Sequence, residues 1–324
     1  MIIRTQRDVT EAVLAEAARA PDARLRQILG AAVRHLHEFV REVRLTDSEF
    51  QQICAVIARA GQLTTPSHNE VVLAAGSLGV STLVCLLNNG GEGGAEPTTA
   101  NLLGPFWRDG SPVMENGDCL VRSPTSGVPL FVTAWVRDQD GKPVADARVD
   151  VWHTSAEGFY ENQDPQQADM NLRGTFRTDG QGRIAFRSVK PAGYPIPVSG
   201  PVGDLLRAQG RHNLRPAHVH FLITKPGYKT QFSQVYSSDD PCLETDVQFG
   251  VTEPLIGLYR RHENEPAPAD DVTGLWYSLE HHFVLLPGEA RMPRAPITGK
   301  ASDQRPQQQI LHRDSNKGTR HADR

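Results

Sequence analysis

The run Asn88-Asn-Gly-Gly-Glu-Gly-Gly94 separates two stretches of chain with different periodicities. It cannot hold a helix, because glycine loses more backbone entropy on folding than any other residue. Before it, apolar residues recur at helical spacing. Leu25, Ile28, Leu29, Ala32, Leu36, Phe39, Val40 and Val43 form one stripe, as an amphipathic helix requires. Thr46-Asp-Ser-Glu49 fits a capping box, in which Thr46 and Glu49 satisfy free amides at a helix start. Phe50, Ile53, Cys54 and Ile57 continue the next helix, which the pattern stops near Gly61. Pro66 opens a further helix through Leu73, Leu83, Leu86 and Leu87.

After Gly94 short strands take over. Leu130–Val136 and Ala147–Trp152 flank the turn residues Asp138-Gln-Asp-Gly141, and Thr175–Arg187 repeats the pattern around Asp179-Gly180. Further strands are predicted at 217–224, at 230–236 and around His282–Leu286. The expectation is an α+β chain: helices over 1–94, an antiparallel β-sandwich over 95–287, and a tail over 288–324. The tail is polar and basic, with few large apolar residues, so it is expected to be disordered. There is no βαβ alternation and no G-x-G-x-x-G, which argues against a nucleotide-binding α/β fold.

A net charge of −4 leaves no broad footprint for nucleic acid. No apolar run is long enough to cross a membrane, and Met1–Ala20 lacks the apolar centre of a signal peptide. The four cysteines lack C-x-x-C spacing, so a reduced cytoplasmic protein is expected.

Arg215-Pro-Ala-His-Val-His-Phe221 reads as the start of a strand, and alternate residues of a strand share a face. His218 and His220 therefore project side by side, as two ligands of one metal would. The pair alone is also compatible with ordinary histidines on a half-buried strand. Tyr160 and Tyr194 stand just past a strand and in a proline-stiffened loop. Taken singly, each is a packing or loop aromatic.

Taken in order, Leu103-Gly-Pro-Phe106, Val151-Trp-His153, Gly158-Phe-Tyr160, Tyr194-Pro-Ile-Pro197, Gly200-Pro-Val-Gly203, Arg215–Phe221, Pro226-Gly-Tyr228 and Phe249-Gly-Val251 resemble the intradiol ring-cleavage dioxygenases. These are ferric enzymes that split catechols between the two hydroxyl-bearing carbons. The resemblance runs from the helical N-terminus to about Pro287. The N-terminal helices are similar to those of the catechol and hydroxyquinol branch.

The resemblance implies one Fe(III) per subunit, held by Tyr160, Tyr194, His218 and His220. Such an ion favours anionic oxygen and accepts imidazole, and its charge would stabilise phenolate at neutral pH. The substrates would be an aromatic diol and O2, with Tyr194 leaving the metal to take a proton. Arg215 cannot deprotonate and would stabilise negative charge on the ring. Gln234 would help orient the ligands, and His153 is read as packing. Leu83, Cys85, Gly104, Pro105, Phe106, Ile196, Pro197 and Gln248 would line the substrate pocket with Arg215. The family also implies a homodimer joined through the N-terminal helices, with a phospholipid bound between them.

Gly104-Pro-Phe106 and Phe249-Gly-Val251 are closest to the hydroxyquinol enzymes, whose product is 3-hydroxy-cis,cis-muconate, or maleylacetate. Catechol or a substituted catechol, giving a cis,cis-muconate, is the second expectation. Three positions depart from the pattern: Cys85 stands where an acid is expected, Gln248 where an apolar residue is, and Ser199 where Asp is usual. Two other classes compete. A zinc hydrolase would need H-E-x-x-H or a convincing carboxylate partner, which the sequence lacks. A non-catalytic sandwich would leave the four donors without a reason.

Overall fold

The structure is a computed structural model and describes residues 2–65, 68–89, 100–297, 299–300 and 305–312. Packing divides the chain into two compact units, Met1–Arg59 and Ala60–Arg324.

In the first unit, α1 (Gln6–Ala17) and α2 (Ala23–Val43) start at Thr5 and Asp22, whose side chains accept from amides of the first turn. Thr10 links the two helices, with its Oγ1 2.9 Å from His37 Nδ1 and 3.1 Å from Arg41 Nη1. The apolar stripe of α2 faces outward, with Leu36 61% and Phe39 46% exposed. Helix α3 (Asp47–Leu63) begins with the expected capping box. Glu49 N donates to Thr46 Oγ1, and Thr46 N donates to Glu49 Oε2.

The second unit opens with α4 (Glu70–Ser77), capped by Asn69, and α5 (Val80–Asn89). The sequence pattern predicted one helix here. The chain instead turns through 77° between the two, and Gly79 takes the left-handed conformation (φ +73°) that a side chain would resist. Pro66 and most of the glycine run lie outside the described residues. By packing, α4 and α5 belong with the sheets to the second unit, which begins at Ala60.

The strands are β1 (Pro129–Asp138), β2 (Arg148–His153), β3 (Arg173–Arg177), β4 (Arg183–Val189) and β5 (Tyr194–Pro195). Helix α6 (Pro201–Ala208) follows. Then come β6 (Leu214–Arg215), β7 (His218–Thr224), β8 (Gln231–Ser237), β9 (Ile256–Gly257), β10 (Tyr259–His262) and β11 (Trp276–Leu285). One sheet runs β10-β11-β1-β4, a second runs β3-β2-β7-β8-β9, and β5 pairs with β6.

The sheets are mainly antiparallel, as expected, but β1–β11 and β8–β9 are parallel. The two strand–turn–strand stretches also differ from hairpins. β1 and β2 lie in different sheets, as do β3 and β4. Their turns carry the chain across the sandwich, which period-two alternation cannot reveal.

β7 explains how the fold presents its histidines. Val219, Phe221 and Ile223 point into the core between the sheets. Leu222 points the other way, toward a second cluster containing Trp152, Tyr160, Tyr194 and Ile196, and His218 and His220 share its face. A register slip of one residue would bury both imidazoles in the apolar core. The tail is not wholly loose: Ile297 is buried, and Leu311 packs on the second cluster.

Candidate metal centre

Four side chains converge beside β7. Tyr160 Oη lies 2.8 Å from His220 Nε2, 3.5 Å from His218 Nε2 and 3.5 Å from Tyr194 Oη. The two Nε2 atoms are 3.1 Å apart. His218 Nδ1 lies 2.7 Å from the Pro216 carbonyl, to which it must donate, so its Nε2 carries a lone pair. Burial, aided by the Arg215 charge, pushes His218 down to about 3. Burial and His218 push His220 well below the ordinary histidine value. Both rings are therefore neutral at pH 7. The His218 Nε2 lone pair thus faces the other three donors, and His220 Nδ1 is buried with no hydrogen-bond partner among the described residues.

Burial, with Tyr194 beside it, raises the Tyr160 hydroxyl well above 10, so a phenolate there needs positive charge nearby. Two imidazole nitrogens and two phenolic oxygens fit a metal that accepts both hard oxygen and nitrogen, iron among them. No group of three His, Cys, Asp or Glu side chains among the described residues offers a competing metal site.

Each donor has a separate anchor. Trp152, opposite His220 across the sheet, stacks on its ring at 4.5 Å. Tyr160 follows Gly158, whose φ is +79° and whose missing Cβ would meet Gly193 O at 2.8 Å. Only glycine lets the two tyrosine loops approach this closely. A short 3-10 turn, Glu161–Gln163, follows Tyr160. Buried Glu161 accepts there from Arg108 and Arg173. Arg173 also donates to Asn162 Oδ1 and to the Phe106 carbonyl, while the Phe106 ring lies 4.4 Å from that of Tyr160. Tyr194 pairs across β5–β6 with Arg215. Its loop leads into α6, where Glu70 accepts from Val202 N at 2.9 Å, a favourable place for a carboxylate at a helix start.

Arg215 is buried. Its Nε donates to Asp246 Oδ1 at 3.1 Å, and its Nη2 to Asp246 Oδ2 at 3.1 Å and Tyr236 Oη at 2.7 Å. Burial would lower its pKa, but Asp246 and Tyr236 outweigh it and hold the guanidinium charged. Tyr236 Oη donates to Gln234 Oε1 at 2.7 Å, and Gln234 Nε2 donates to the Leu102 carbonyl at 2.7 Å. Gln234 is the cross-strand neighbour of His220. Asp246, Tyr236, Glu161, Arg108 and Arg173 belong to the site, and sequence reasoning missed them all. A distant acid–base pair leaves no local pattern to find.

The predicted pocket residues divide. Gly104 (φ +74°) lies against His220, with 3.2 Å between its missing Cβ and His220 Cε1. Leu103 and Phe106 pack with Tyr160, Tyr194 and buried Ile196. Pro105 and Pro197 are exposed, Leu83 is 57% exposed, and Cys85 is half-buried on α5. Gln248 is buried, with its amide donating to Ser77 Oγ and the Leu73 carbonyl at the end of α4. His153 bonds to the Thr154 carbonyl and Ser188 Oγ.

Comparison with known proteins identifies the family. A family model described as "Dioxygenase" matches residues 103–280, and one described as "Catechol dioxygenase N terminus" matches residues 22–96. A hydroxyquinol 1,2-dioxygenase of Rhizobium sp. (strain MTP-10005) is 39% identical over 85% of this chain and 93% of that protein. A 6-chlorohydroxyquinol 1,2-dioxygenase of Cupriavidus pinatubonensis is 40% identical over 87% of this chain and 98% of that protein. Among solved structures, hydroxyquinol 1,2-dioxygenase from Pseudomonas putida DLL-E4 superposes with a TM-score of 0.79 at 36% identity. It covers 87% of this chain and 99% of that one.

Proposed function

Because the chain belongs to the intradiol ring-cleavage dioxygenase family, we propose that it opens hydroxyquinol with O2, using Fe(III) held by Tyr160, Tyr194, His218 and His220. The observation that carries this reading is the convergence of those four donors, the other three lying within 3.5 Å of Tyr160 Oη. When bound, the ferric ion supplies the Lewis acidity that draws electron density from the diol ring and makes it reactive toward O2.

The chain's own groups do the rest. Tyr160, enclosed and held by the Glu161 anchor, keeps its oxygen in place through the cycle. Tyr194, buried on the two-residue strand β5, is the group that would accept a diol proton at Oη. Arg215 presents a fixed positive charge beside Tyr194 and stabilises negative charge that develops on the ring. Gln234 and Tyr236 link that guanidinium to the Leu102 carbonyl. Phe106 and Ile196 exclude water.

Hydroxyquinol is favoured by the named activities of the similar proteins and by the Gly104-Pro-Phe106 and Phe249-Gly-Val251 segments. Catechol is the second reading, because Cys85 offers no acid to a third hydroxyl and the Gln248 amide is taken by α4. The exposed stripe of α2 supports a homodimer joined through the helices. The deciding experiment is a visible spectrum of the aerobically purified protein, titrated under argon with hydroxyquinol and then catechol. A charge-transfer band that shifts at lower hydroxyquinol concentration supports the proposal, whereas a shift at lower catechol concentration selects the second reading. A protein that holds zinc and no iron refutes both.

A further inference from the structure

The two tyrosine loops are tied together by a part of the chain that lies past the matched family region, which ends at residue 280. Arg305 donates to Glu157 Oε2 and to Asp164 Oδ2, both at 2.5 Å, and its guanidinium lies 4.6 Å from the centre of the Phe159 ring. Asp164 closes the turn that begins at Tyr160, and its side chain is only 1% exposed. An ionised carboxylate in such a place needs a cation. Among the described residues, Arg305 supplies its only ion pair, while Lys300 reaches just the Asp164 carbonyl oxygen.

Three residues further on, Gln308 Nε2 donates to the Gly158 carbonyl at 3.2 Å. The chain then crosses to the other loop. Asn213 Nδ2 donates to both the Gln309 and Ile196 carbonyls, and Leu311 N donates back to Asn213 Oδ1 at 2.9 Å. Asn213 is fully buried, and Ile196 N donates to its carbonyl at 2.8 Å. The Leu311 side chain packs on the cluster that contains Tyr160 and Tyr194.

We propose that residues 305–312 form a strap that positions the loops of Tyr160 and Tyr194 relative to one another, with Arg305 as its fastening residue. The strap sets the separation of the two phenolic oxygens and slows the outward swing of the Tyr194 loop. Its effect on iron rests on the ligand assignment above, but its effect on the loops does not.

The test is amide hydrogen exchange on metal-free, full-length protein carrying Arg305→Ala, combined with the rate of iron loss to a chelator from loaded protein. Exchange should quicken at 157–160 and 193–198 while β1 and β4 keep their protection. Iron should leave about tenfold faster. Arg305→Lys, which keeps the charge but cannot fork to both carboxylates, should fall between. If Arg305→Ala does not fold, Arg305→Gln provides the same readouts with the charge alone removed. Unchanged exchange in both loops, or quickening spread evenly over the sandwich, overturns the strap. Wild-type protein that takes up no iron overturns the ligand assignment instead, and loop exchange still decides the strap.

Discussion

Asp246 grips Arg215 through two parallel hydrogen bonds of 3.1 Å, and the paired side chains are 2% and 5% exposed. The missing Cβ of Gly250 would come within 2.8 Å of Arg215 Nη2 and 2.6 Å of Tyr236 Oη, so the network closes only around glycine. Forked pairing of this kind fixes the orientation of a guanidinium as well as its charge. Arg215→Leu should keep iron and lose most turnover. Asp246→Asn preserves the shape, leaves the guanidinium uncompensated, and should lower kcat by about 10- to 100-fold with iron retained. Asp246→Ala should cost roughly 3–5 kcal/mol of stability. Metal analysis beside steady-state kinetics checks the first two and urea unfolding the third, and a normal kcat in Asp246→Asn would remove the residue from the site.

Tyr160→Phe removes one oxygen from the centre of the donor set. The ring stays packed against Phe106, so the fold should survive, with a far-ultraviolet circular dichroism spectrum unchanged. The shift of the visible band on adding a diol and the turnover should both disappear. Wild-type turnover in this variant would sink the ligand assignment.

Gly104→Ala places a methyl group 3.2 Å from His220 Cε1 on a backbone of φ +74°. The left-handed conformation alone costs about 1 kcal/mol for a residue with a side chain. A lower melting temperature and weaker iron retention should appear together. A change in melting temperature alone would mean that His220 tolerates the displacement.

His281 on β11 reports acid stability away from the donors. Its Nε2 is buried without a hydrogen-bond partner among the described residues, and burial, joined by His282, holds its pKa at about 4 rather than 6.5. Between those values the unfolded chain binds the proton and the folded chain does not. Stability from this group is therefore complete above pH 6.5 and is lost as the pH falls toward 4. His281→Phe should reduce the pH slope of unfolding free energy in that window by up to about 1.4 kcal/mol per unit. Urea unfolding at pH 4.5, 5.5 and 7 measures the slope in both proteins, and identical slopes would refute the prediction.

Leu36→Glu with Phe39→Glu puts charge on the exposed stripe of α2. Light scattering should give a dimer for the parent protein and a monomer for the double variant. A parent that is already monomeric would end the dimer proposal.

Much of this chain was legible because the relevant signals are local. The α2 stripe, the Thr46–Glu49 capping box and the shared face of His218 and His220 each follow from the repeat of one helix or strand. The ordered motifs from Leu103 to Val251 identified the family without any geometry. The tertiary structure decided what depends on distant partners. It sent β1 and β2 to different sheets, where turn chemistry suggested neighbours. It bent the predicted helix at Gly79, engaged the Gln248 amide at the end of α4, and packed Leu311 near Tyr194. It also joined Asp246 to Arg215 across 31 residues, and Arg305 to Asp164 across 141. A buried charge requires an opposite charge, but nothing in its neighbouring residues says where along the chain that partner stands. Only packing brings the two together.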